Sequence, residues 1–133
     1  MATPYQERKI MDPAINPGDQ PYFDAAAQGK LMLKKCNDCG ELHHYPRALC
    51  PFCFNEKIQW VEAKGKGTLY SYSVMRRAEV PYAIAYVTLD EGPTMMTNLV
   101  ECDFDRLKIG QRMKVVFTPT DGGAPVPTFT PAS

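Results

Sequence analysis

Four cysteines form two CxxC pairs, Cys36 with Cys39 and Cys50 with Cys53, in the stretch CNDCGELHHYPRALCPFC. Thiolate is a soft ligand, and two such turns bring four sulfurs to the corners of a tetrahedron, the arrangement that a structural Zn2+ takes. Gly40, just after the first pair, supplies the backbone freedom a metal knuckle needs. Phe54 follows the second pair where glycine would be easier, with Asn55 next, so the second knuckle departs from the first. A redox CxxC usually opens a helix in a βαβ context, which this sequence lacks; iron takes the same four ligands as zinc. With all four ligands from cysteine the ion keeps no open position for water or substrate, so it is expected to hold the chain and not to activate a nucleophile. Its binding, on the order of 10–16 kcal/mol in zinc-finger peptides, offsets the ordering cost of a segment with few large apolar residues.

Other side chains could do chemistry. His43 and His44 are spare ligands or general bases on one reading, but they lie between knuckles whose ligand set is already full. A structural role is expected for both. Cys102 is flanked by Glu101 and Asp103, whose charges raise a thiol's pKa, so a buried or rim thiol is expected and not a nucleophile. Tyr70, Tyr72, Tyr82 and Tyr86 could stack on bases; in the absence of a basic groove, packing in a barrel or a protein interface is preferred.

The charge pattern bounds the partners. Basic and acidic residues balance at fifteen each. Residues 30 to 80 carry nine basic and five acidic side chains, formally +4, while residues 1 to 29 (two and four) and 81 to 133 (four and six) are each −2. Zinc with four thiolates adds −2 to the middle region, leaving a mild anion preference, too weak for a general nucleic-acid surface. Five cysteines do not pair off as a disulfide framework, which suits metal in a reducing compartment. No apolar run approaches the roughly 18 residues of a membrane span and MATPYQERKI lacks a signal layout, so no membrane association and a cytoplasmic location are expected.

The elements that must position these residues read as mainly β. Residues 1 to 20, with Pro4, Pro13 and Pro17, form an extended arm whose Tyr5, Ile10, Met11 and Ile15 either dock on a partner or fold back on the chain's own barrel. A short helix is predicted over Gln20 to Gln28, capped by Asp19, with Pro21 in its first turn and Gly29 at its exit. LMLKK and EKIQWVEA read as strands flanking the cysteines. In GTLYSYSVMR the alternation places Tyr70, Tyr72 and Val74 on one face; YAIAYVTL is apolar on both faces and reads as a central strand. TMMTNLVEC, QRMKVVFTP and a short strand near Thr128 to Thr130 follow, with FDRLKIGQ as a loop. Short strands without intervening helices favour a small closed barrel of the OB type. The expected units are an arm and helix (1–30), a metal ribbon (31–64) and a barrel (65–133).

The order PYFDAAAQGKL, LKKCNDCGELHHYPRALCPFC, IQWVEAKGKGTLYSYSVMR, AYVTLDEGPTMMTNLVE and IGQRMKVVF resembles the acyl-CoA-associated OB-fold proteins. These join a rubredoxin-like zinc ribbon to an OB-fold domain and were long catalogued as a domain of unknown function. The resemblance covers residues 20 to about 131, and the cysteine pairs are its sharp motif. It implies a non-catalytic partner of thiolase-superfamily enzymes, often in a heterotetramer of a thiolase-like dimer and two small subunits. Such complexes serve thiolytic or retro-aldol cleavage, or acyl transfer, on acyl-CoA esters in degradation of aromatic compounds or steroid side chains. The catalytic cysteine and histidines belong to the partner, and a CoA ester is shared with it. The residues agree, because this chain offers no set of nucleophile, base and oxyanion hole. Lys64, Lys66, Arg76 and Arg77 are candidates for CoA phosphates, with solvated surface charge as the rival explanation. Two other classes remain open: a single-stranded nucleic-acid binder, and an enzyme using His43 or His44.

Overall fold

The computed structural model describes residues 5, 18–120 and 125–132. Helix α1, Gln20–Ala27, has Pro21 in its first turn and leaves through Gly29 at φ 78°, where the N–H of Gly29 donates to Ala26 and that of Lys30 to Ala25. Glycine meets that left-handed exit without a Cβ clash. Asp19 occupies the cap position, but its side chain makes no cap bond; its carboxylate lies near enough to Tyr45 to help raise that phenol, after burial. The expected local cap has thus become a tertiary contact. Tyr22, Phe23 and Ala26 are buried and Ala27 faces solvent, so the apolar stripe of the helix is narrow.

Three strands build the ribbon. β1 (Met32–Cys36) lies between β2 (Leu42–His43) and β3 (Ile58–Glu62), both antiparallel to it, with Lys34 opposite His43 on one side and Trp60 on the other. The remaining strands, β4 (Lys66–Met75), β5 (Tyr82–Leu89), β6 (Thr94–Leu99), β7 (Arg112–Thr118) and β8 (Val126–Pro131), close a barrel in the order β4-β5-β6-β8-β7. A short 3-10 turn, Phe104–Arg106, lies within the expected loop before β7 and buries Phe104. Closure removes the sheet edges that an open arrangement would expose. At Gly67, where β4 crosses β5, a Cβ would lie 2.5 Å from the carbonyl oxygen of Thr88, so only glycine admits the approach.

β4 departs from simple alternation. A bulge between Leu69 and Ser71 sets Leu69 opposite Val87 and Ser71 opposite Tyr86, and puts Tyr70 out of phase with Tyr72 and Val74. Tyr70 therefore faces solvent while Tyr72 and Val74 pack on the core, which corrects the single face read from the sequence. β5 alternates strictly, Ala83, Ala85, Val87 and Leu89 being buried, despite its two apolar faces.

One core runs from Tyr22 and Phe23 through Leu31, Leu33 and Ala63 into the barrel residues Leu69, Val87, Leu99, Met113 and Phe129. The base of the ribbon thus shares the barrel's core, whereas the knuckle end buries little apolar surface beyond Cys36, Cys50 and Pro46. Tyr5 packs against the same core, and its N–H donates to the carbonyl of Cys102 at 2.9 Å. At this residue the arm lies on its own barrel; Ile10, Met11 and Ile15 fall outside the described residues. Among the described residues no helix is long and apolar enough to cross a membrane.

Candidate metal centre

The two knuckles are built alike. The N–H of Gly40 donates to the carbonyl of Cys36 at 3.0 Å and that of Phe54 to Cys50 at 2.8 Å; the N–H of Cys36 donates to Glu41 and that of Cys50 to Asn55, each at 2.9 Å. Amide groups also point at sulfur: Asp38 and Cys39 donate to Cys36 Sγ, and Phe52 donates to Cys50 Sγ, all at 3.4 Å. Donors aimed at sulfur favour the thiolate. The N–H of Cys39 outweighs burial and lowers the Cys36 thiol to about 7.

The four Sγ atoms lie within 4.8 Å of one another, with Cys36–Cys53 and Cys39–Cys50 at 3.6 Å. A tetrahedron with metal–sulfur bonds of about 2.3 Å has edges of roughly 3.8 Å. The donor set therefore fits a zinc or iron ion held by Cys36, Cys39, Cys50 and Cys53. When bound, such an ion supplies cross-linking of the two knuckles, and the four thiolates fill its tetrahedral positions.

The histidines have tertiary partners. The His44 Nε2 and the Tyr22 hydroxyl are 2.8 Å apart, joining the inter-knuckle loop to α1. Burial, with His43 nearby, pushes His44 down to about 4, and burial also raises the Tyr22 hydroxyl well above its ordinary value. Both groups are therefore neutral near pH 7. His43 is buried on β2, and its Nε2 accepts the N–H of Arg47 at 3.2 Å. The sequence placed both histidines in the loop but gave no sign of Tyr22, Tyr45 and Asp19 as their company, since those contacts form between elements distant in the chain.

Cys102 is half-buried at the barrel rim, and burial together with the charge of Asp103 raises its thiol to about 11, as its flanking carboxylates suggested. A thiol at that value is a poor nucleophile.

The four basic candidates do not meet. Lys64 and Lys66 lie at the start of β4 and Arg76 and Arg77 just past its end, on the order of 30 Å away along a strand of this length. Lys64 and Lys66 sit near Asp90, whose carboxyl the Arg112 guanidinium holds below the usual carboxylate range through bonds of 2.9 and 2.8 Å. Arg76 is paired with Asp105 at 2.6 Å; with Arg77, Val74, Met75 and Tyr82 it lines an open cleft of about 470 Å³.

One surface was not legible in the sequence. The cross-strand rows Ser71–Tyr86–Met96, Ser73–Ile84–Asn98 and Thr68–Thr88–Thr94 put these side chains together on the outer face of β4, β5 and β6, with Tyr70 beside the first row. None is charged. Tyr70 is 66%, Tyr86 47% and Met96 62% exposed. The signal is cross-strand register, which a linear pattern does not contain.

With this geometry in view, the chain matches the family description "ChsH2, rubredoxin-like zinc ribbon domain" over residues 23–59 and "ChsH2, C-terminal OB-fold domain" over 60–118. It is 37% identical over 125 residues to a Thermomonospora curvata protein described as a probable enoyl-CoA hydratase alpha subunit, covering 90% of this chain and 39% of that protein's length. A DUF35 domain-containing scaffold protein of Methanothermobacter thermautotrophicus is 34% identical over 94 residues, 65% of this chain and 71% of the relative. Benzoylsuccinyl-CoA thiolase subunit BbsA of Thauera aromatica is 29% identical over 84 residues, 58% of each chain. Among solved structures, a chain of the Ltp2-ChsH2(DUF35) aldolase superposes with a TM-score of 0.79 at 36% identity, over 92% of this chain and all of that one. A two-knuckle thiolate ribbon whose base shares the core of a closed five-stranded barrel, matched along most of its length, makes this chain a member of the ChsH2 (DUF35) family of rubredoxin-like zinc-ribbon and OB-fold proteins.

Proposed function

We propose that this chain is a non-catalytic accessory subunit that docks on a thiolase-superfamily enzyme acting on acyl-CoA esters. The observation that carries the reading is the uncharged outer face of β4, β5 and β6, with Tyr70, Tyr86 and Met96 exposed on it. Exposed aromatic and methionine side chains without charge favour contact with another protein, where tyrosine and methionine are enriched at interface cores. The names of the relatives, a thiolase subunit, a hydratase subunit, a scaffold protein and an aldolase chain, support the enzyme class. The four-thiolate ion, zinc in this reading, holds the ribbon, and Cys102, the cysteine outside it, is a poor nucleophile with its thiol raised to about 11. The assembly proposed is two small subunits on a thiolase-like dimer, cleaving or transferring acyl groups by thiolysis or retro-aldol chemistry. The Arg76 and Arg77 cleft is the part of this chain best suited to meet a CoA phosphate at the interface.

The test is purification of the tagged full chain from its own cells at native abundance, with mass spectrometry of what accompanies it. A thiolase-superfamily subunit in stoichiometric amount is expected. Recovery of the chain free, or with nucleic acid, overturns the proposal.

Exposed Tyr70 and Tyr86 also give the nucleic-acid reading its one support, since base stacking needs such rings. The three rows themselves carry no cation, and Arg112, which donates to Thr68 at their edge, is paired with Asp90. Affinity for single strands no better than nonspecific at physiological salt is expected, and micromolar binding with a steep salt slope would favour the second reading.

A further inference from the structure

Between the inter-knuckle loop and the β5–β6 turn lies a cleft of about 260 Å³, bordered by His43, Tyr45, Arg47 and Phe52 on the ribbon side and by Pro93 and Thr94 on the barrel side. His43 is only 4% exposed. Its Nε2 accepts the backbone N–H of Arg47, so the neutral ring carries its proton on Nδ1. Nδ1 has no hydrogen-bond partner among the described residues. A buried donor left without an acceptor is costly, and native structures keep few of them.

Two cations lie near the ring. Burial first, and then the charges of Lys34 and Arg47, act against protonation of His43. Lys34 is held in place, its Nζ donating to the Arg47 carbonyl at 3.2 Å and lying 4.6 Å from the centre of the Trp60 ring. Arg47 has no carboxylate within ion-pair distance among the described residues. A neutral buried donor beside an unpaired guanidinium is complementary to an acceptor that carries negative charge.

We propose that this cleft at the ribbon–barrel junction binds a small oxyanion, a phosphate or carboxylate group, with His43 Nδ1–H as the buried donor and Arg47 as the countercharge. Phe52, Tyr45 and Pro93 give the cleft apolar sides, which suit an anion borne on an organic group. The site lies on this chain alone and stands whether or not the chain docks on an enzyme.

The experiment uses the full metal-loaded chain with 15N-labelled histidine rings, titrated near neutral pH with inorganic phosphate, with acetate and with CoA, each against sodium chloride at equal ionic strength. A saturable shift of the His43 ring nitrogens is expected with at least one of the three, weakened about tenfold or more in Arg47→Met. Tighter binding of phosphate and CoA identifies a phosphate-bearing ligand; tighter binding of acetate identifies a carboxylate. His43→Phe, with its metal content retained, loses the response in the Arg47 side-chain signals. If His43→Phe does not fold, Arg47→Met, at an exposed position, decides alone. Shifts that chloride reproduces, no saturation with any of the three, or equal binding by Arg47→Met would overturn the proposal and leave the cleft to water.

Discussion

Phe54 holds in the second knuckle the conformation that Gly40 holds in the first: their φ angles are 63° and 79°, and each N–H closes its turn on the first cysteine of its pair. The departure visible in the sequence is therefore accommodated by the backbone of a phenylalanine in left-handed space. For a residue with a Cβ this costs about 1–2 kcal/mol. The ring is 76% exposed and returns little packing. Phe54→Gly should raise the stability of the metal-loaded chain by about 0.5–1 kcal/mol after the extra flexibility of unfolded glycine is subtracted. A thermal melt checks this; a clear loss of stability would mean that the ring contributes packing within the chain that outweighs the backbone cost.

Cys36→Ser removes a buried ligand from a segment with little other core. Elemental analysis should give one zinc or iron per wild-type chain and much less in the variant. Amide exchange should accelerate across residues 36–56. The barrel strands should keep their circular-dichroism signal, because Leu69, Val87, Met113 and Phe129 form their core without the knuckles.

Burial holds His44 at about 4, against about 6.5 in the unfolded chain. Between these values the unfolded state binds more protons, so stability rises with pH across that window. The stabilisation is complete above about pH 6.5 and is lost as pH falls towards 4, up to about 3 kcal/mol in total. His44→Gln removes the titration while leaving a carbonyl for the Tyr22 hydroxyl. Denaturant melts at several pH values should show a flatter profile for the variant across this window; parallel profiles would assign the acid loss to the thiolates.

Tyr86 stands at the middle of the uncharged face, opposite Ser71 and Met96. Tyr86→Glu places a charge there without entering the core. The variant should keep its metal and its melting temperature while its affinity for the enzyme subunit falls at least about tenfold, as expected for an unpaired charge buried in an interface. Undiminished binding would move the docking surface elsewhere.

The sequence made legible those features that rest on local chemistry. The cysteine spacing located the candidate metal site, Gly29 located the helix exit, and the run QRMKVVFTP located a barrel strand. It failed where a residue chose between a local and a distant partner. Asp19 left the helix cap for Tyr45, and Tyr70 left the face of Tyr72 because β4 bulges where it turns around the barrel. The separation of Lys64 and Lys66 from Arg76 and Arg77 by the length of β4 is likewise a feature that a list of charges does not carry.

This chain is proposed to support an acyl-CoA enzyme without doing the chemistry. The most direct measurement is release of free CoA thiol, or cleavage of a β-keto bond, from acyl-CoA esters by the purified chain, by the purified thiolase-superfamily subunit and by the two together. No turnover by the chain alone is expected, with fuller activity for the pair than for the enzyme subunit alone. Turnover by the chain alone that His43→Ala abolishes would contradict it.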